Sequence, residues 1–339
     1  MRKKYTFKFF EVTLLFLLFL FSTTTKAQTC PEINQRVYAT NQNWNTIIPL
    51  LGGGVTNAAN AVDANPATYS TINTGIALIG IGTTRQDLSW GGGDIAAGTP
   101  VSVKLGANAG LLAVGSAVTI QARKDGANVG SFQTVTADLL TLVSGESVYE
   151  FTFIPQSGGV AEAYDEIRVT ASAPVGIGFS IRVYEAYYHN SATVADCSQD
   201  DIIDLFYGVE DLGLGVLTAT VGVANPWNVA DGDDNTYAVL YNGAAVLAQS
   251  QLTAVFATPL TAKDEIEIII SDASMALSIE VLNGFTVQRY YGSTPIGTPL
   301  TANSNTLSIG FLGFSDSQAV AVLNPQDGLT YDRIKISLG

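Results

Sequence analysis

Residues 230–237, ADGDDNTY, place Asp231, Asp233, Asp234 and Asn235 within five positions and then run into an aromatic, β-prone stretch. Short oxygen-bearing side chains gathered around one glycine can hold a cation, contact the hydroxyls of a sugar, or close a solvated turn in which Asp and Asn bond their own backbone. The residue types leave all three open. An EF-hand is excluded, because the alternating acidic positions, the closing glutamate and the flanking helices are missing.

The other reactive residue types form no catalytic set. His189 is the single histidine, and at the edge of a repeated segment it reads as a linker residue. No zinc-ligand spacing exists. Asp165 and Glu166, or Asp264 and Glu265, are neighbours on strands and so point to opposite faces, whereas glycoside hydrolysis needs two carboxyls facing one pocket. The glycine runs LGGG at 51–54 and WGGGD at 90–94 lack the Lys-Ser/Thr of a phosphate loop. The expectation is a protein that is not an enzyme.

These residues sit on a frame that occurs twice. Cys30 returns as Cys197, NAVDANPATYS from Asn60 as NVADGDDNTYA from Asn228, and VTIQARKDGANVG from Val118 as FTVQRYYGSTPIG from Phe285. YDEIRV from Tyr164 returns as YDRIKI from Tyr331, and the offset is 167 or 168 throughout. Two tandem copies follow, residues 30–190 and 197–339, with a linker over 191–196.

Within each copy the period is two. VSVKL, VTIQARKDG, YEFTFIP, DEIRVTAS and FSIRVYEAYY in the first, and EIEIIIS, LSIEVL, FTVQRYYG, AVAVLNP and DRIKISL in the second, are β-branched or aromatic runs separated by turn residues. The fold class is all-β, as two tandem β-sandwich domains. The first copy continues into GIGFSIRVYEAYY, but the second ends at YDRIKISLG. The counterpart of 179–188 would fall past Gly339, so the chain is expected to be a piece of a longer protein; the alternative is an edge filled by another strand.

Ahead of the copies, Arg2, Lys3, Lys4 and Lys8 precede an apolar run from Val12 to Phe21 and the residues TKA before Gln28. That order is a signal peptide, residues 1–27, too short to be an ordinary membrane span. Cys30 is a poor lipid-attachment site, because no leucine lies three positions before it. Removing the signal leaves 11 basic and 29 acidic residues, a net charge of −18. Such a surface repels nucleic acid and anionic lipid and favours solubility. The protein is expected to be secreted or at the cell surface, with no membrane span in the mature chain. Two cysteines in an exported protein pair more often than not. Each opens a copy, so Cys30 and Cys197 either clamp the junction as a disulfide or join bridges to further repeats.

With ADGDDNTY before a strand and YDRIKI late in the copy, the second copy resembles the galactose-binding-domain-like superfamily of discoidin-type and carbohydrate-binding modules. It also resembles repeats of secreted Bacteroidetes surface and adhesin proteins. The resemblance implies a jelly-roll sandwich, a ligand surface of loops at one end, and a structural calcium held by oxygens of Asp231, Asp233, Asn235 and Thr236. In the first copy Asp63, Asn65 and Thr68 remain, but Ala64 stands in place of Gly232.

A sugar site also needs an exposed ring beside hydrogen-bonding groups. The candidates are Trp227, Tyr237, Tyr241, Arg289, Tyr290 and Tyr291, with Trp90 in the first copy. Trp227 leads, because it flanks the turn and its counterpart is Ala59. The expected function is non-catalytic adhesion or carbohydrate binding, with a glycan or surface polysaccharide as partner. The alternatives are a spacer repeat of a longer adhesin and a targeting appendage of a secreted hydrolase.

Overall fold

In EIRVTASA, residues 166–173, Ile167, Val169, Ala171 and Ala173 are fully buried while the residues between them reach solvent in part. A strand with one face on a core requires that alternation, and it recurs along other strands of the described residues. The computed structural model describes residues 32–47, 52–76, 81–108, 117–135, 146–176, 178–193, 202–211, 221–233, 235–242, 248–260, 265–271, 284–302, 304, 307–311, 318–324 and 327–339. The expected signal peptide, residues 1–27, and the expected disulfide partners Cys30 and Cys197 lie outside them. No helix among the described residues is long and apolar enough to cross a membrane.

The first half contains β1 (Glu32–Tyr38), β2 (Asn41–Thr46), β3 (Gly54–Thr56), β4 (Ser70–Asn73), β5 (Gly82–Ser89), β6 (Val101–Asn108) and β7 (Ala117–Lys124). It continues with β8 (Ala127–Asn128), β9 (Gln133–Thr134), β10 (Glu146–Phe153), β11 (Gln156–Ser157), β12 (Val160–Ala161), β13 (Glu166–Ala173) and β14 (Ser180–Thr193). The second half contains β15 (Ile202–Asp211), β16 (Val221–Ala224), β17 (Val239–Asn242), β18 (Ala248–Leu260) and β19 (Ile266–Ser271). It ends with β20 (Phe285–Tyr291), β21 (Thr294–Thr301), β22 (Leu307–Phe311), β23 (Gln318–Leu323) and β24 (Tyr331–Leu338). One-turn 3₁₀ segments at Ala58–Val62 and Pro226–Val229 precede β4 and β17.

The first sandwich packs a sheet containing β10, β6, β14, β4 and β3 against a sheet ordered β2, β5, β13, β7, β8. Val101, Val103, Leu105, Ile181 and Val183 from one layer meet Leu88, Ile120, Ile167 and Val169 from the other. The second core lies between β18, β24 and β20 on one side and a three-stranded sheet of β19, β23 and β22 on the other, with Phe285, Val287, Leu307, Leu323 and Ile334 inside. β10 and β15 join the two halves, pairing at Val148↔Tyr207, so one sheet runs from β21 to β3. β14 extends to Thr193, and Arg36 pairs with His189, so the histidine read as a linker residue stands on a strand.

The halves repeat each other in pairing and in side-chain contacts. Gly54↔Asn73 and Val55↔Ile72 in the β3–β4 pair become Gly222↔Tyr241 and Val223↔Leu240 in the β16–β17 pair, all at an offset of 168. Gln121 Nε2 donates to Ala122 O at 3.0 Å and Val129 O at 2.7 Å; Gln288 Nε2 donates to Arg289 O at 2.8 Å and Ile296 O at 3.0 Å. Tyr164 and Tyr331 are both fully buried. β14 alone among the long strands of the first sandwich has no described counterpart in the second.

Candidate functional site

The acidic turn follows the second 3₁₀ segment, which Asn225 opens at φ 50 just as Asn57 opens the first at φ 51. Asparagine tolerates this left-handed conformation better than other residues with a side chain. The turn then closes on itself. The Asp233 N–H donates to Asp231 Oδ1 at 3.0 Å, the Thr236 hydroxyl donates to Asp231 Oδ2 at 2.6 Å, and the Asn235 N–H and amide donate to Asp233 Oδ1 at 3.0 and 2.8 Å. Bonds from Asn235, its backbone N–H first and its side-chain amide second, hold the exposed Asp233 carboxyl below its ordinary range. In the first half the Asn65 N–H donates to Asp63 Oδ1 at 2.9 Å and the Thr68 hydroxyl donates to Asp63 Oδ2 at 2.7 Å. Ala64 there takes φ 57, the conformation Gly232 holds at φ 75.

A calcium ion fits this arrangement poorly. It needs about six to eight oxygens, whereas both carboxylate oxygens of Asp231 and Oδ1 of Asp233 already accept bonds from within the turn. The first half makes the same closure with a neutral Asn65 in place of Asp233, so hydrogen bonds suffice to hold the shape. Asp231→Ala is therefore expected to lower the melting temperature by about 2–4 °C, the loss of roughly one net hydrogen bond's stability. A calcium titration of wild type and variant by thermal denaturation is expected to leave that gap unchanged.

The aromatic and basic candidates go to different places. Trp227 is half-buried, packs on the second core, and lies under Lys104 Nζ at 5.3 Å, so its ring meets the first half as well as solvent. Arg289 is buried, paired through both terminal nitrogens with Asp327 and stacked over Tyr331 at 5.3 Å. Trp90 is buried, donates Nε1–H to Val37 O at 3.0 Å and packs edge-on to Tyr164 and Tyr188. Tyr241 and Tyr291 are exposed, and Tyr237, at 55 % exposure, overhangs a groove beside the turn. Tyr290 lies half-buried with Lys335 Nζ 5.7 Å from its ring centroid.

Tyr290 and Lys335 stand at a groove that the repeat spacing does not announce. β10 and β15 pair only at Val148↔Tyr207 and then part, leaving a depression of about 390 Å³. Phe206, Tyr207 and Tyr290 give it aromatic surface, and Glu150, Gln251 and Lys335 give it polar groups. Glu150 is its only carboxylate among the described lining residues. Burial alone would raise Glu150, but the charges of Arg333 and Arg36 and the hydroxyls of Tyr187 and Thr152 hold it down at about 2. It stays charged and accepts from Arg333 Nη2 at 3.3 Å.

Beneath the groove the halves are tied by buried ions. Asp204 of β15 is fully buried, accepts from Arg36 Nη1 of β1 at 2.7 Å, and binds Lys104 Nζ of β6. Glu185 of β14 meets Arg36 Nη1 at 3.3 Å, and the Arg36 guanidinium lies 4.1 Å from the Tyr187 ring centroid. Sequence reading missed Lys104, Asp204, Glu150 and Lys335. The signal for two of them was present, since Lys104 interrupts the apolar run VSVKLGA and Asp204 interrupts IIDLFYG.

No protein-family model matches the chain, and no curated protein matches it. Among solved structures, the chain is similar to the glycoside hydrolase domain of Spr0440, Endo-D, from Streptococcus pneumoniae R6, at 8% identity and a TM-score of 0.30. That match covers 88% of this chain and 37% of the other, so the chain spans well under half of that structure. It is also similar to the CBM32-1 and CBM32-2 domains of Clostridium perfringens ZmpB, at 11% identity and a TM-score of 0.24, over 89% of each chain. The same domains in complex with GalNAc match at 11% identity and a TM-score of 0.25, over 89% of this chain and 87% of that one. Likenesses of this size carry no functional argument, and the reading below rests on the site itself.

Proposed function

We propose that the chain is a non-catalytic tandem module, exported and displayed outside the cell, that holds carbohydrate in the groove between its halves and serves adhesion to a glycan or surface polysaccharide. One observation carries this reading: the parting of β10 from β15 sets the Tyr207 and Tyr290 side chains beside Glu150, Gln251 and Lys335 in an open groove. A sugar ring offers apolar C–H faces rimmed by hydroxyls. Aromatic surface next to a few fixed polar groups is the complement of that pattern. Glu150, the one carboxylate among the described lining residues, is already bound to Arg333 and Tyr187 and gives no acid and base pair for hydrolysis. The reading needs no cation.

The spacer reading has its own support in the buried ion network, which fixes one half against the other and makes the pair a stiff unit. Binding separates the two. On a glycan array the mature protein is expected to retain a defined subset of glycans, and Tyr290→Ala and Lys335→Ala are each expected to weaken binding by about tenfold, the loss of one good contact. Their melting temperatures are expected to stay within about 2 °C of wild type. An array with no retained glycan, or variants that bind as wild type does, would leave the spacer reading standing.

A further inference from the structure

Resting on the carbohydrate reading of the groove between the halves, we propose that this groove selects an anionic sugar, one bearing a carboxylate or a sulfate, and that Lys335 is the group that meets the anion. The same four register positions carry different charges in the two halves. In the first half β13 lies between β5 and β7, with Arg168 opposite Asp87 and Glu166 opposite Arg123. Arg168 Nε and Nη2 donate to the two Asp87 oxygens at 2.6 and 2.7 Å, and Arg123 Nη1 binds Glu166. Two cations and two carboxylates close on one another there.

In the second half β24 lies between β18 and β20, with Lys335 opposite Thr253 and Arg333 opposite Tyr290. The paired glutamines fix the correspondence: Gln121 stands opposite Arg168 and Gln288 opposite Lys335, and both make the same backbone bonds. Thr253 therefore takes the place of Asp87, Arg333 that of Glu166, Lys335 that of Arg168 and Tyr290 that of Arg123. Both carboxylates of the first set are gone, and the formal charge of the four positions rises from zero to +2. All four of these second-half residues line the groove of about 390 Å³.

One negative charge is returned from the first half. Glu150 of β10 meets Arg333 Nη1 and Nη2, each at 3.3 Å, and its oxygens also accept from the hydroxyls of Tyr187 and Thr152. A sugar bearing an ammonium group finds its carboxylate already engaged. Lys335 Nζ meets Glu210 at 3.6 Å, and Glu210 is 39% exposed and stands outside the groove lining. So long and wet an ion pair holds its partner weakly, which leaves the ammonium able to turn to an anion. Lys335 Nζ also lies 5.7 Å from the Tyr290 ring centroid, so a sugar face on the ring brings a charged substituent to the ammonium. The formal charge of −14 on the whole chain repels anions at long range. Salt screens that field beyond about 8 Å at physiological strength, whereas an anion in contact with Lys335 accepts a charge-assisted hydrogen bond. A neutral sugar would gain nothing from the exchange of Asp87 for Thr253.

The test titrates the full mature chain with three probes by calorimetry: a hexuronate oligosaccharide, the same oligosaccharide with its carboxyls reduced to alcohols, and that reduced form carrying sulfate esters. At least one charged probe is expected to bind about tenfold or more tighter than the neutral one, and the tighter of the two identifies the anion. Lys335→Gln is expected to bring that probe down by about tenfold, to the level of the neutral one, and Lys335→Arg to keep the preference. Thr253→Asp, which returns to that position the carboxylate Asp87 holds, is expected to erase the preference too, with a melting temperature no lower than that of wild type. Equal binding of charged and neutral probes, or a preference that survives both Lys335→Gln and Thr253→Asp, overturns the choice of an anionic sugar and leaves the carbohydrate groove standing. Binding of none of the three also overturns it; where the glycan array still retains other glycans the groove reading stands, and where it retains none both fall.

Discussion

Asp204→Ala is expected to destabilise the protein by about 3–5 kcal/mol, the cost of stripping one partner from a buried ion group. The carboxylate is fully buried, and besides Arg36 and Lys104 it accepts the Leu205 N–H at 2.7 Å. The side chains of Arg36 and Lys104 are 2% and 1% exposed. With Asp204 gone, both cations stay in the interior, and Glu185 at 3.3 Å from Arg36 and the Pro66 carbonyl at 2.7 Å from Lys104 Nζ do not replace the lost charge. Arg36 and Lys104 belong to the first half and Asp204 to the second, so the loss falls on the junction. Calorimetry is expected to record a fall of about 10 °C or more in the melting transition and a split into two transitions as the halves uncouple. Asp204→Asn, which keeps the shape and one acceptor, is expected to fall between wild type and the alanine variant. A change below about 1 kcal/mol in the alanine variant would mean that the network contributes nothing that a surface pair could not.

The same junction explains what the sequence could and could not disclose. Period-two alternation identified strands such as EIRVTASA because one face of each is wet and one dry, and the repeated QAR and QRY strands return the same glutamine bonds from Gln121 and Gln288. The acidic turn was legible too, because Asp231 and Asp63 make their bonds within five residues along the chain. Lys104 and Asp204 were not. Each lies on the outward face of a strand, where alternation predicts solvent, and each is buried because the other half covers that face. Their partners lie 100 or more positions away, and no local pattern encodes such a meeting. The surroundings of Trp227 were hidden for the same reason: the residue its ring faces, Lys104, comes from the other half.

Raising the pH from about 5 to about 8 is expected to weaken the wild-type protein through Glu185, and Glu185→Gln is expected to remove that dependence. Burial is the first cause that lifts this carboxyl, and the negative charge of Asp204 is the second; Arg36 and Lys104 pull it back, and the outcome is about 7 against an ordinary value of 4.5. A carboxyl with a raised value binds its proton more tightly folded than unfolded. The stability it supplies is complete below the unfolded value of 4.5 and is lost as pH rises through about 7. At 1.36 kcal/mol per unit the loss is at most about 3 kcal/mol. Glu150 works in the opposite sense, because a value lowered to about 2 gives stability that is present above 4.5 and lost as pH falls. The two carboxyls face the same Arg36, so their windows meet near pH 4.5 and do not overlap between about 5 and 8. Urea denaturation of wild type and Glu185→Gln across that range isolates the effect: the free-energy difference between them is expected to shift steadily in favour of the glutamine variant as pH rises. Parallel pH profiles for the two proteins would show instead that Glu185 is ionised throughout, with Arg36 strong enough to cancel the penalty of its burial.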